Sequence, residues 1–157
     1  KLMNEPTLKT GEHFAVMNLG DFAGLDQFMF EAPEANLQVE GKVFLKERLH
    51  LTSAEISLNK LPPGKSLPFY HKHRLNEEIY LFIKGQGEFQ VNDQVFPVQE
   101  GTIVRVDQDG ERCWRNTSDE DLYCVVIQSR AGSYSDQTIQ DGIAVQKRVS
   151  WQGKTRI

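Results

Sequence analysis

Between Leu51 and Gln128 the chain consists of short runs rich in Val, Ile, Phe and Tyr, cut by turn residues at roughly 8 to 12 residue spacing. Thr52 to Leu61 alternates through Ile56 and Leu58 and stops at Pro62, Pro63 and Gly64. Leu67 to His73 is extended but carries Pro68, which keeps it off a central strand. Glu78 to Lys84 is apolar at nearly every position. Glu88 to Val91 and Gln94 to Val98 flank a hairpin turn at Asn92 and Asp93. Thr102 to Val106 and Leu122 to Ser129 follow, and Gly142 to Trp151 is expected to add a last strand. Many short antiparallel strands joined by tight turns make a sandwich or barrel, not a parallel α/β sheet. The one helical signal is Lys42 to Leu49, where Leu45 and Leu49 alternate with charged positions over one or two turns.

A chain of 157 residues is one domain in length. Residues 1–41 read as a weakly patterned N-terminal extension with a short strand around Phe14, Val16 and Leu19, and residues 42–157 as a single barrel domain. Ile79 to Ile83 is apolar on both faces. One face fills the barrel, so the other must meet a second sheet or a second subunit, which points to a homodimer. Eighteen basic and 22 acidic residues, for a net charge of -4, do not make the basic stripe of a nucleic-acid binder. The longest apolar run, Leu122 to Ile127, is far short of the ~18–20 residues of a membrane span. The first residues lack the apolar stretch of a signal peptide. Cys113 and Cys124 form no disulfide framework, so a reducing cytoplasm is the expected location.

Two of the four histidines, His71 and His73, lie two positions apart on an extended run and point to one face. Arg74 to Glu77 make a short connection. If it closes a hairpin, His73 stands opposite Glu78, and two imidazoles and a carboxylate converge; Glu77 then faces away. That set holds a divalent metal and leaves coordination positions open. The alternative is a hairpin with surface histidines and solvated glutamates.

The segment Gly64, His71, His73, Glu78, Gly85 resembles the first signature of the cupin superfamily: glycine, His-x-His, three or four residues, glutamate, six residues, glycine. The gap from Gly64 to His71 is six where five is usual. The second signature is half present. Gly101 and Asn116 stand at the right separation, but Asp107, Asp109 and Arg112 occupy the proline, glycine and fourth-ligand histidine positions. The resemblance covers residues 50–130. It implies an all-β, cupin-type double-stranded β-helix, or jelly-roll barrel, with little helix. It also implies metal ligation by His71, His73 and Glu78, and a divalent transition metal from among Fe, Mn, Ni, Co and Zn. The family's small members include dioxygenases, isomerases, epimerases and decarboxylases.

A guanidinium stays protonated and cannot ligate a metal. Arg112 therefore clamps an anionic substrate at an open position, pairs with Glu78 in place of the metal, or lies on the surface beside Glu111 or Asp109. Arg105 and Arg115 would add a basic lip to the pocket. Tyr80 and Phe82 share the parity of Glu78 and line the pocket or fill the barrel. Gln128, polar in an apolar strand, is a further candidate ligand contact. The expected activity is that of a metalloenzyme acting on a small anionic or polar molecule, with a non-catalytic ligand-binding or sensing module as the alternative.

Overall fold

The computed structural model describes residues 5–157. The N-terminal part forms two small hairpins. β1 (Leu8–Thr10) pairs with β2 (Ala15–Met17). After a 3-10 segment at Phe22–Gln27, β3 (Met29–Ala32) pairs with β4 (Leu37–Glu40). The barrel is built from β5 (Lys42–Phe44), β6 (Glu55–Leu61), β7 (Asn76–Lys84), β8 (Gln86–Val91), β9 (Gln94–Gln99), β10 (Ile103–Val106), β11 (Arg112–Arg115) and β12 (Leu122–Arg130). A five-stranded antiparallel sheet in the order β10-β7-β12-β6-β5 faces a three-stranded sheet in the order β11-β8-β9. This is the all-β double-stranded β-helix implied by the signature. No helix among the described residues is long and apolar enough to cross a membrane.

Tyr80, Phe82, Val104, Leu122, Cys124 and Val126 from the larger sheet meet Phe89, Val98 and Trp114 from the smaller one in the barrel core. Leu25 and Phe28, from the 3-10 segment and its end, pack on Val43, Leu58 and Tyr123 on the outer face of the larger sheet. The second apolar face of that sheet is thus met in part by the chain's own N-terminal segment.

Three local expectations are corrected. Lys42–Phe44 is a strand, and only Lys46–Leu49 makes a helical turn. The edge of β6 offers Lys42, Val43 and Phe44 a ladder at Asn59, Leu58 and Ser57, which outweighs a weak helical pattern. Residues 71–73 do not form a hairpin with β7. The His71 N–H donates to the Arg112 carbonyl (3.3 Å), the Arg112 N–H returns to the His71 carbonyl (3.1 Å), and the His73 N–H reaches the Gln108 carbonyl (3.0 Å). The segment thus edges the smaller sheet at β11, and residues 74–75 cross to the larger one. Gly142 to Trp151 forms no strand: Ile143, Val145, Val149 and Trp151 all lie exposed.

Two signature positions act on the backbone. Asn116 is buried; its Nδ2 donates to the carbonyls of Leu61 (2.9 Å) and Glu120 (2.6 Å), pinning the β11–β12 loop. Gly85 turns the chain between β7 and β8 at φ +97, where a Cβ would stand 2.5 Å from the Asp121 carbonyl oxygen. Gly85→Ala is therefore expected to cost at least ~2 kcal/mol in urea unfolding, from strain and overlap together. A loss below ~0.5 kcal/mol would show that the turn relaxes freely.

Candidate metal and ligand site

The five strands of the larger sheet carry their inner-face side chains in cross-strand rows. One row runs Glu55, Gln128, Glu78, Val106; the next Phe44, Ser57, Val126, Tyr80, Val104; the third Lys42, Asn59, Cys124, Phe82. The first row is therefore polar apart from Val106, while the third is polar at Lys42 and Asn59 and apolar at Phe82. Here β6 turns its polar residues inward, since Ser57 and Asn59 are buried, and sends Ile56 and Leu58 to the outer face.

His71 and His73 approach Glu78 from the edge of the opposite sheet. Nε2 of each imidazole lies 3.2 Å from Glu78 Oε1, and donor atoms of the three residues all fall within 4.8 Å of one another. The Tyr80 hydroxyl donates to the same carboxylate oxygen at 2.6 Å. Among the described residues, His73 Nε2, His71 Nδ1 and Arg112 Nε are buried without a hydrogen-bond partner. Glu77 turns to the other face and pairs with Arg105 (3.3 Å).

Burial pushes the Glu78 carboxyl up, but hydrogen bonds from His71 and Tyr80 and the charges of the two imidazoles outweigh it and hold the group at about 2. Burial lowers the His73 imidazole below its ordinary value, against the pull of Glu78, which favours the neutral form that ligates metals. Burial, then the Glu78 charge, raises the Tyr80 phenol well above its usual range, so it stays a donor.

The cluster forms one wall of a cavity of about 620 Å³, a volume ordinary for small-molecule sites. Tyr80 and Gln128 are on its lining, as are Phe30 and residues 37–40 of the β3–β4 hairpin. The amide oxygen of Gln128 accepts from Asn76 Nδ2 at 2.9 Å. Arg112 and Phe82 are not on the lining. Phe82 packs edge-on against Phe89 and Trp114 in the barrel core. Arg112 is fully buried behind Glu78, with Nε 3.8 Å from Oε1. Its Nη2 donates to the Asp107 carbonyl (2.6 Å) and Nη1 to that of His71 (3.5 Å). Both carbonyls belong to backbone that β11 and its preceding turn hold in place, so the guanidinium is drawn inward. Arg105 and Arg115 are engaged by Glu77 and Glu88 at the surface and do not rim the cavity.

Sequence reasoning missed Lys42, Ser57 and Asn59, all on the lining. The Lys42 ammonium donates to Asn59 Oδ1 (2.8 Å) and Ser57 Oγ (3.3 Å) and sits 4.9 Å from the Phe44 ring centre. Burial pushes it down to about 8, against the pull of Glu78, Cys124 and Glu55. The sequence signal for Ser57 and Asn59 was their alternation with Ile56 and Leu58, which does not by itself say which set faces inward.

A family model described as Cupin domain matches residues 57–128. The oxalate-binding protein of Thermotoga maritima is 34% identical over 82 residues, which are 52% of this chain and 67% of that protein. Among solved structures, a cupin protein from Bacteroides fragilis is 38% identical with a TM-score of 0.64, over 66% of this chain and 88% of that one. A predicted oxalate decarboxylase from Thermotoga maritima is 30% identical with a TM-score of 0.52, over 60% and 83% of the two chains. The stretch that the family model matches begins in β6 and ends in β12, so it takes in strands of both sheets, though not β5, and the whole His71, His73, Glu78 cluster. This chain belongs to the cupin superfamily.

Proposed function

We propose that this protein is a metal-dependent enzyme that acts on a small anionic or polar molecule at His71, His73 and Glu78. The observation that carries the reading is the convergence of three donor groups within 4.8 Å on the wall of a cavity. Metal–ligand bonds of ~2.0–2.2 Å set neighbouring donor atoms ~3.0–3.4 Å apart. The two 3.2 Å separations around Glu78 Oε1 fit that spacing. Two imidazoles and one carboxylate suit Fe(II), Mn(II), Co(II), Ni(II) or Zn(II). Bound there, such an ion supplies Lewis-acid strength and open positions for substrate oxygens.

The chain's own residues do the rest. Tyr80 fixes the carboxylate by hydrogen bonding, and Arg112 neutralises it from behind. Tyr80 and Gln128 present polar atoms to the substrate side. Phe30, Leu37 and Val39 exclude water from the opposite wall.

A second reading, a non-catalytic binding module, is favoured by the approach of Arg112 to Glu78, which partly satisfies the carboxylate without a metal. The relative named as an oxalate-binding protein points the same way. Elemental mass spectrometry of the untagged protein, beside the His71→Ala, His73→Ala double variant, separates the two. The expected result is about one transition metal per chain, lost in the variant. A wild type that takes up no Fe(II), Mn(II) or Zn(II) on incubation sinks the enzyme reading and leaves the binding module.

A further inference from the structure

Lys42 and the metal-ligating cluster occupy one inner face but opposite sides of it. β5 and β7 are separated by β12 and β6. Three strand spacings place their backbones ~14 Å apart. The lysine stem reaches along the face to Asn59 and Ser57, and Lys42 and Glu78 both line the cavity. Among the described residues both of its hydrogen-bond partners are neutral, it sits over the Phe44 ring, and Glu78 and Glu55 act on it through space without an ion pair. An ammonium has three donors, and the third has no partner among the described residues.

A partly buried cation with neutral partners only is an electrostatic cost, and a ligand anion removes it. The other lining cation, Lys65, is exposed at the rim. Of the lining carboxylates, Glu40 is exposed. Glu55 is engaged by the backbone N–H groups of Lys46 (2.9 Å) and Ile56 (3.1 Å). Glu78 is held by its own cluster. None of them makes an ion pair with Lys42 among the described residues.

We propose that Lys42 is the anchor for the anionic end of the ligand: the cavity takes a small carboxylate that lies between the Lys42 ammonium and the His71, His73, Glu78 cluster. The proposal rests on the metal-site reading for the far end of the ligand and names the class of molecule that fits. It also gives Ser57 and Asn59 a role, as the acceptors that aim the ammonium into the cavity. Asn59 is itself fixed by donating from Nδ2 to Ser57 Oγ (3.0 Å) and to the Cys124 carbonyl (3.3 Å).

The test is titration calorimetry with oxalate, malonate and succinate on Mn(II)-incubated wild type, Lys42→Met and Lys42→Arg, with metal content measured on each sample. Methionine keeps the stem and removes the charge; arginine restores the charge and controls for a packing effect. The expected result is binding of at least one of the three by wild type, a loss of tenfold or more in Lys42→Met at unchanged metal content, and substantial recovery in Lys42→Arg. Equal affinity in wild type and Lys42→Met overturns the anchor while leaving the metal site standing. Failure of the wild type to bind any of the three also overturns it. A wild type without metal that still binds one of them in a Lys42-dependent way sinks the metal-site reading and supports the anchor.

Discussion

Arg112→Met is expected to destabilise the protein by about 3–5 kcal/mol, read as a lower urea midpoint at unchanged slope. The side chain is wholly buried, and its guanidinium is engaged by two backbone carbonyls and by the Glu78 carboxylate. Methionine keeps much of the volume, so the loss is electrostatic. It leaves a buried carboxylate without its cation and the Asp107 carbonyl without its donor. Adding Glu78→Gln to Arg112→Met should recover at least ~1 kcal/mol relative to the sum of the single changes, because the two groups compensate each other. A cost below ~1 kcal/mol for Arg112→Met would mean that the histidines and Tyr80 satisfy Glu78 unaided, and that the arginine is spare.

The second large effect is that of metal on stability. A divalent ion at a free concentration a thousandfold above its dissociation constant raises the unfolding free energy by about 4 kcal/mol. The gain should vanish on chelation, return on re-addition, and be absent from the His71→Ala, His73→Ala variant. Its pH dependence has a definite sign. Glu78, held at about 2, stays ionised until the pH is far below neutral, so its own protonation does not release the metal in mild acid. In the metal-free protein Glu78 acts separately. Its folded value lies below its ordinary 4.5, so it contributes stability that is complete above that pH and lost as the pH falls to about 2. Thermal scans from pH 8 to pH 3, with chelator and with added Mn(II), resolve the two. Equal stabilisation of wild type and the double variant by metal would move the binding site elsewhere.

The barrel was legible because strand periodicity and turn spacing are local properties, and the residues between Leu51 and Gln128 follow them closely. The convergence of His71, His73 and Glu78 was legible for a different reason from the one offered. The hairpin argument fails, since residues 71–73 edge the smaller sheet; parity alone puts both imidazoles on one side, and the barrel's closure brings them to Glu78. Lys42 was not legible because a three-residue edge strand is too short for its period to stand out. Its position is set by the register of β5 on β6. The inward set of β6 cannot be assigned from the alternation, because hydrophobicity names an inner face only when a strand has one apolar neighbour. Leu58 has the N-terminal segment on its side, while Ser57 and Asn59 face a cavity. The sequence leaves Arg112 open as substrate clamp, Glu78 partner or surface residue; it lies buried beside Glu78, and that burial is a tertiary fact.

The cavity is made by two parts of the chain with different constraints. The donor groups and Lys42 are fixed to the barrel, where any shift disturbs a shared core. The facing wall, Phe30 and residues 37–40, is carried by the β3–β4 hairpin, which pairs only within itself and rests beside β5. Apart from Phe30, which packs on Phe44, its cavity-facing residues lie outside the barrel core. On the proposed function, substitutions at residues 37–40 would then reshape what the cavity accepts while leaving His71, His73 and Glu78 in place.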